Sequence, residues 1–238
     1  TTEGILNTQY AGSPLVSPES GFYEGSRSVT IDSDSAGADI RYTLDGSKPQ
    51  SSSASYDTSF NITETTVLRT RIFEEDMLPG GIVNRTWFID EDISLPVISI
   101  IKPPEALWGA DFGIYDKDNH NRRMKEREIP ISFEFFESNG EPDFSLNAGL
   151  RLTGQASLYY PQASFTIYAR ERYATKEIKY RIFPQRELNT FKTIYLRNAG
   201  VPDHRSTYFR DALQHTLLLN KIDIDCQAYL PAVVFLNG

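Results

Sequence analysis

The feature that most constrains this fold is a series of short β-prone segments between residues 28 and 90, separated by turn signals. Residues 40–44 alternate apolar and polar side chains, as a half-buried strand does. Asp45 and Gly46 follow directly and predict a turn, because glycine adopts positive φ without steric cost. Residues 66–73 alternate over a longer stretch. Short strands at intervals of about 8–12 residues, with no helical period, predict an all-β sandwich.

The charge of the chain changes at about residue 92. Residues 1–92 contain 6 Lys and Arg against 15 Asp and Glu, whereas residues 93–238 contain 18 against 17. The acidic charge belongs to the first segment, so we predict two domains, at residues 1–92 and 93–238. Nucleic acid is excluded as a partner of the first domain, because phosphate binding requires a basic surface. No apolar run approaches the roughly 18–20 residues that a membrane-spanning helix needs.

The first domain contains the specific motif IRYTLDGSKP at residues 40–49. Shorter matches accompany it: Ser17-Pro18, Gly21-Phe22-Tyr23, Tyr56 and TVLRTR at 66–71. Together they resemble the chitobiase/β-hexosaminidase C-terminal type domain over about residues 14–90. This resemblance implies an immunoglobulin-like, Fn3-associated β-sandwich that is appended to extracellular bacterial proteins.

Two roles are open for the aromatic residues of the first domain. Tyr23, Tyr56 and Trp87 would contact a carbohydrate or a protein if they are exposed, or would pack the sandwich if they are buried. The acidic run at residues 74–76 is a calcium-site candidate or a solvated turn. It lacks the regular spacing of oxygen ligands found in calcium loops, which favours the turn.

Strand patterns continue in the second domain until the period changes near residue 206. The predicted strands are residues 95–101, 129–136, 150–154, 164–169, 177–183, 193–197 and 230–236, with 150–154 and 164–169 as an antiparallel pair. Apolar side chains from Phe209 to Leu217 recur at helical spacing, which predicts a helix within residues 206–222, with Ser206 or Asp203 as N-cap. Asn237-Gly238 is a hairpin-turn signal, so we expect the chain to be a fragment.

Short motifs of the second domain occur in the order found in one bacterial family. They are LPVIS (95–99), LW (107–108), GIY (113–115), FEFF (133–136), GLRLTG (149–154), PQ (161–162), SF (164–165), FK (191–192), LRN (196–198), FRDAL (209–213) and FLNG (235–238). This set resembles the CotH kinase family, named for a spore-coat protein. The resemblance implies an atypical kinase-like fold whose members phosphorylate serine with ATP and Mg²⁺ or Mn²⁺. The fold class we expect is mainly β with some α: an N-terminal Ig-like β-sandwich, then a partial α+β kinase-like domain.

Two cationic positions of the CotH family are apolar in this chain. The family reads P-Q-K-S where this chain has Ala163, and it often has arginine where this chain has Leu158. Alanine cannot pair with a phosphate, and a desolvated triphosphate without a cation is costly. The family's catalytic and metal-binding acids lie beyond the Asn-Gly turn. Catalytic residues therefore remain unknown, and ATP with Mg²⁺ or Mn²⁺ is expected for an active full-length member but not for this fragment.

The nucleotide-binding candidates are Arg151, Arg197, Arg210 and Asp211. Phosphoryl transfer needs cations near the phosphates and carboxylates near the metal, and these residues have that chemistry. An alternative for Arg210 and Asp211 is that they brace the helix against the sheet, since Asp in a first turn favours the helix dipole.

Other polar residues have equally open roles. Asn198 and Asp203 would approach a ligand or form a turn. The basic run at residues 122–127 would bind an acidic protein or form a solvated loop. His120, His204 and His215 have no paired metal-ligand spacing, and the lone Cys226 excludes an intrachain disulfide or a Cys-based zinc site, so no metal ligand is nominated.

Two functions are carried forward. The first is a fragment of a secreted bacterial CotH-like protein kinase or pseudokinase with an accessory β-sandwich, located outside the cell or at its surface. Its partner would be a protein substrate. The second is a non-catalytic cell-surface binding or structural protein that recognises a glycan or a protein. An export signal, if the protein has one, would lie outside this sequence.

Overall fold

The computed structural model describes residues 9–110, 113–115, 127–138, 140, 142–154, 162–199, 207–219 and 221–238. The chain forms two compact units and is mainly β. Unit 1 comprises Thr1–Pro104, Glu134–Asp143 and Val234–Gly238, and unit 2 comprises Glu105–Phe133 and Phe144–Val233. Unit 1 thus includes the predicted first domain and continues past residue 92, and the boundary at 92 stays a prediction.

Two sheets are formed by the first ninety residues of unit 1. One is antiparallel, with the order β1-β3-β6, and contains β1 (Leu15–Ser17), β3 (Arg27–Asp32) and β6 (Phe60–Ile62). The other has the order β2-β8-β7-β4-β5 and contains β2 (Gly21–Tyr23), β4 (Asp39–Thr43), β5 (Ala54–Ser55), β7 (Thr66–Phe73) and β8 (Val83–Ile89). Its pairs are antiparallel except for the parallel pair β2 and β8. β1, β2 and β5 are each three residues or fewer, too short for alternation to reveal them.

The apolar residues of both sheets form one core. Val16, Val29, Ile31 and Ile62 come from the three-stranded sheet, and Ile40, Leu68, Ile72, Trp87 and Ile89 from the five-stranded sheet. The predicted alternation explains the pairing, because Ile40 on β4 lies opposite Ile72 on β7. Gly46 has φ 83° at the predicted turn, where the Ser47 amide donates to Asp45 Oδ1 at 2.8 Å. Two sheets that share a core are consistent with a β-sandwich.

The opposite face of β8 is covered by other strands of unit 1. These are β9 (Val97–Ile101), the end of β10 (Ile129–Phe136) and β16 (Val233–Leu236), in the order β10-β9-β16. The Phe88 ring lies 5.1 Å from the Phe136 ring and 5.0 Å from the Phe235 ring. Asn237 then closes this edge, since its amide donates to Ile100 O at 3.0 Å and its Oδ1 accepts from Lys102 N at 2.9 Å.

Unit 2 contains the predicted antiparallel pair. β11 (Pro142–Thr153) pairs with β12 (Ser164–Tyr168), and β12 pairs with β15 (Thr193–Leu196), in the order β15-β12-β11-β10. A separate two-stranded sheet contains β13 (Ile178–Lys179) and β14 (Thr190–Phe191). The helices are α1 (Pro104–Trp108), a 3-10 helix (Glu171–Tyr173) and α2 (Arg210–Leu218). In the described part of the chain, no helix is both long enough and apolar enough to cross a membrane.

Three elements of the predicted set are shorter than expected. The helix begins at Arg210, with Phe209 as N-cap and no side-chain capping bond, whereas Ser206 and Asp203 lie outside the described residues. The strand at 177–183 is reduced to β13, and beyond it the Arg181 side chain donates to the carbonyl of Pro184. The final strand begins at Val233, two residues after Pro231, which has no amide hydrogen for a ladder.

Candidate functional site

Two of the four nucleotide-binding candidates contact each other. Arg197 directly follows β15, and Asp211 lies in the first turn of α2. The Arg197 guanidinium donates to Asp211 Oδ2, and the two side chains are 42% and 38% exposed. This ion pair joins the sheet of unit 2 to the helix, which is the bracing role considered for Asp211. The positive charge of Arg197 is therefore already balanced.

The other two candidates lie elsewhere on the same elements. Arg151 is on β11 between the buried residues Leu150 and Leu152, and its register partner on β12 is Thr166. Thr166 in turn pairs with Tyr195 of β15. Arg151 is therefore in register with Tyr195, two strands away, at a distance of about 10 Å. Arg210 is exposed at the first position of α2. The structure thus brings together Arg197 and Asp211, and places Arg151 on a different strand.

Ala163, at the position where the CotH family has lysine, is buried against an aromatic residue. Its backbone forms a hydrogen bond with the Tyr115 hydroxyl, and the Tyr115 ring meets Phe165 edge-on at 5.8 Å. Burial raises the pKa of Tyr115 to about 12, and the hydrogen bond from Ala163 opposes part of that rise. The alanine side chain cannot pair with a phosphate, and the Tyr115 hydroxyl, its hydrogen-bond partner in the described part of the chain, is neutral.

The hydrogen bonds of Asn198 indicate a structural role rather than a position that contacts a ligand. It is buried, its Oδ1 accepts from Ser164 Oγ at 2.9 Å, and its Nδ2 donates to the carbonyl of Gln162 at 2.5 Å. Its amide also donates to Ser164 Oγ at 3.1 Å. These bonds fasten the start of β12 to the segment after β15, so the turn-forming role explains Asn198. Asp203, the other residue of this proposal, lies outside the described residues.

The aromatic residues nominated in the first domain pack the sandwich. Trp87 is fully buried in the core, and its Nε1 donates to Glu19 O at 3.0 Å. Tyr23 and Tyr56 are partly buried and pack against the same core. The surface-contact role is therefore wrong for Trp87, because alternation along β8 directs its side chain between the sheets.

The metal-site alternatives are not supported by clustered ligands. Asp76, at φ 60°, lies in a turn in which the Met77 amide donates to Glu74 O at 3.2 Å. His215 Nδ1 accepts from the Gln227 amide at 3.2 Å. Within the described residues, no three His, Cys, Asp or Glu side chains are grouped to hold a metal ion. His120, His204, Leu158 and residues 122–126 of the basic run lie outside that part of the chain.

The sequence analysis missed a buried polar cluster in unit 1. Glu134 of β10 is 4% exposed, and its Oε1 accepts from Ser20 Oγ at 2.8 Å. Its Oε2 accepts from the Thr86 hydroxyl, and Thr86 Oγ1 lies 2.9 Å from Ser99 Oγ. Ser20, Thr86 and Ser99 are themselves buried. The signal was present in the sequence, because Glu134 is the single charged residue in the apolar run IPISFEFF.

The environment of Glu134 favours its neutral form. Desolvation by burial raises the pKa of this carboxyl, whereas the hydrogen bonds from Thr86 and Ser20 and the charge of Arg85 act in the opposite direction. Arg85 NH2 forms an ion pair with Glu19 at 2.9 Å. The carboxyl therefore contacts hydroxyl groups, and Arg85, the cation whose charge acts on it, is bonded to another acid.

A second, partly buried acid lies in unit 2. The side chain of Glu128 is 10% exposed and forms ion pairs with Arg170 at 3.0 Å and Arg172 at 2.5 Å. The Arg170 guanidinium also lies 4.5 Å from the centre of the Tyr168 ring. Unlike Glu134, this carboxyl has two cationic partners. In the part of the chain that the structure describes, Glu134 is thus a buried acid that forms no ion pair.

Comparison with known proteins identifies a family for part of unit 1. Neither the curated proteins nor the solved structures contain a match to this chain. The resemblance found in the first domain is confirmed over a shorter span than the sequence motifs suggested. Residues 18–84 match the chitobiase/beta-hexosaminidase C-terminal domain.

Proposed function

We propose that this chain is the N-terminal part of a secreted bacterial CotH-like pseudokinase, with the chitobiase-type β-sandwich as an accessory module. The ordered motifs at residues 95–238 support the CotH ancestry. The observation that favours a pseudokinase over a kinase is Ala163, which is buried where the family has a phosphate-binding lysine. The accessory module, common in extracellular bacterial proteins, supports a location outside the cell or at its surface.

The charges near Ala163 strengthen this choice. A transferred phosphoryl group needs cations, because charge develops on its oxygens during transfer. Ala163 supplies none, and Arg197 is paired with Asp211. In an active relative, ATP with Mg²⁺ or Mn²⁺ would be the cofactor and a protein serine the substrate. In this chain the same region would bind a protein without modifying it.

The alternative is a non-catalytic cell-surface binding or structural protein that recognises a glycan or another protein. Ala163 favours this alternative as well, since it needs no nucleotide. The burial of Trp87 weakens the case for a glycan at the sandwich, because sugar binding through an aromatic ring requires an exposed face. A glycan array probed with the whole chain would test this reading; bound sugar would favour it.

Nucleotide binding by two lysine variants separates these proposals. ATP with Mg²⁺ or Mn²⁺ would be titrated by calorimetry into the full-length protein, into its Ala163→Lys variant and into its Gln162→Lys variant. The last is the matched control, because it adds the same charge one residue away at an exposed position. Circular dichroism would establish that each variant is folded.

A pseudokinase would bind no ATP in its native form and would gain binding in Ala163→Lys but not in Gln162→Lys. Binding and serine phosphorylation by the native protein would identify an active kinase and overturn the pseudokinase proposal. If folded Ala163→Lys also fails to bind ATP, residue 163 does not face a phosphate site, and the non-catalytic alternative replaces the pseudokinase proposal.

A further inference from the structure

The Glu134 cluster ties together segments that are distant in sequence. Ser20 precedes β2, Thr86 is on β8, Ser99 is on β9 and Glu134 is on β10. Ser20 and Glu134 are 114 residues apart, and Thr86 and Glu134 are 48 apart. One carboxyl thus receives hydrogen bonds from two segments of the sandwich, while β9 contributes the hydroxyl of Ser99 beside Thr86. Removing the carboxyl's contacts would affect all these segments together.

Three of the four polar residues of the cluster are followed two positions later by a phenylalanine. The pairs are Ser20 and Phe22, Thr86 and Phe88, and Glu134 and Phe136. Residues two apart on a strand point to the same face, so the three rings lie beside the three polar groups. The ring centres of Phe22, Phe88 and Phe136 are separated by 4.6, 6.2 and 5.1 Å. This aromatic contact excludes water from the side of the polar cluster where it lies.

The hydroxyl groups are oriented for the carboxyl. Ser20 Oγ accepts a hydrogen bond from the Thr86 amide at 3.0 Å, so its own proton is directed to Glu134 Oε1. Thr86 Oγ1 is shared between Ser99 Oγ and Glu134 Oε2. When Glu134 is protonated, its O–H can donate to Thr86 and the chain of bonds continues to Ser99. When it is ionised, all its contacts must be donors, and no cation compensates its buried charge directly.

Charged groups near the cluster are few in the described part of the chain, and acids outnumber cations. On β8, Arg85 acts on Glu134 through its charge, but its guanidinium bonds Glu19 from the segment before β2. Beyond β10, the Glu137 amide bonds Asp143 Oδ2 at 2.7 Å. β2 and β9 contain no charged residue, and the sequence of β16 is VVFL. The described elements around Glu134 therefore contain two further acids, Glu137 and Asp143, and the ion pair of Arg85 with Glu19. They contain no cation that pairs with Glu134.

We propose that Glu134 makes the packing of unit 1 sensitive to pH. The protonated carboxyl holds β10 to β8 and to the segment before β2, and its ionisation weakens that contact. A carboxyl whose pKa is higher in the folded than in the unfolded chain favours folding below the unfolded pKa. That contribution disappears as the pH rises through the folded pKa. Lower pH therefore stabilises the contact of β10 with β8 and with the segment before β2, and higher pH destabilises it. Buried ionisable groups in bistable contacts act as pH switches in this way.

Thermal unfolding as a function of pH tests the proposal with a matched pair of variants. Glu134→Gln keeps the shape and loses the ionisation, whereas Glu24→Gln makes the same change at an exposed position of unit 1. The Tm of each protein would be measured between about pH 4 and pH 9, a range that begins near the ordinary glutamate pKa of about 4.3. We expect Glu134→Gln to gain Tm over the native protein progressively as pH rises, while Glu24→Gln follows the native protein. Parallel Tm profiles for native and Glu134→Gln proteins would overturn the proposal.

A second measurement uses the native protein and therefore does not depend on the folding of a variant. The native protein, labelled with ¹³C at its glutamate side chains, would be titrated by NMR, and the Glu134 carboxyl resonance followed. We expect its midpoint above the ordinary value of about 4.3, together with pH-dependent shifts in the amides of Thr86 and Ser99. A midpoint at or below the ordinary value would also overturn the proposal.

Discussion

Thr86 and Glu134 form a hydrogen bond in which both side chains are buried, and this bond joins a strand of the sandwich to a strand from the middle of the chain. Its donor is neutral, and its acceptor is an acid that forms no ion pair with any of the described residues. The bond is therefore important for satisfying a buried carboxyl, and its loss leaves that carboxyl short of a donor.

Thr86→Val tests the contribution of this hydrogen bond. The change preserves shape and removes the hydroxyl, so we expect the free energy of unfolding to fall by about 1–3 kcal/mol. Urea denaturation at neutral pH measures it. Thr58→Val is the control, because Thr58 is exposed in the same unit. An equal effect at both positions would show that the buried hydroxyl contributes nothing specific.

Phe88→Ala tests the aromatic contact beside the polar cluster. The fully buried Phe88 ring contacts Phe22, Phe136 and Phe235, so its removal leaves a cavity that the neighbours fill only in part. We expect a loss of about 3–5 kcal/mol in the free energy of unfolding. Leu15→Ala, on the exposed side of β1, is the comparison and should cost far less. A small loss at Phe88 would mean that the rings do not stabilise this face.

A double-mutant cycle on Arg197 and Asp211 tests the bracing role. The pair is partly exposed, so solvent screens it, and we expect a coupling energy of about 0.2–1 kcal/mol from Arg197→Ala, Asp211→Ala and the double variant. The coupling should weaken as salt is added. A coupling much larger than this range, or one indifferent to salt, would contradict a simple surface brace.

Tyr115 should ionise later than an ordinary tyrosine. Burial raises its pKa to about 12, so the fold gains stability from the neutral phenol up to the unfolded value and loses it as the pH rises through the folded value. Ultraviolet titration of phenolate absorbance, with Tyr115→Phe and the exposed Tyr10→Phe compared, assigns the transition. If Tyr115→Phe removes a group that titrates near the ordinary value of about 10, burial does not control this residue.

Sequence pattern predicted the strands of the sandwich well, because alternation reports which residues share a face. The strand predicted at residues 129–136 has the same bounds as β10. It could not reveal the role of Glu134, because periodicity along one strand does not say which other segment covers its face. Ser20, Thr86 and Ser99 are ordinary β-sheet and turn residues in the sequence. Only their convergence in space makes them partners of a buried acid.

The helix near the end of the chain illustrates a different limit. The spacing of Phe209, Leu213 and Leu217 predicted helix, and α2 is present. Yet Leu213 and Leu217 are 42% and 64% exposed, whereas Ala212 is the buried residue. An apolar stripe indicates the period of an element, but the face that is buried depends on what packs against it. The same limit applies to the four nucleotide-binding candidates. Their residue types suggested a binding site, but the structure brings two of them, Arg197 and Asp211, into an ion pair.

β8 changes character along its length. Val83, Asn84 and Arg85 are partly exposed, whereas the four residues from Thr86 to Ile89 are all buried. The family match ends at residue 84, just before this change. Backbone amides in the second half of β8 should therefore be among the slowest of unit 1 to exchange their hydrogens with solvent. A relative that has the sandwich without β9, β10 and β16 would need polar residues in place of Phe88 and its neighbours to stay free of aggregation.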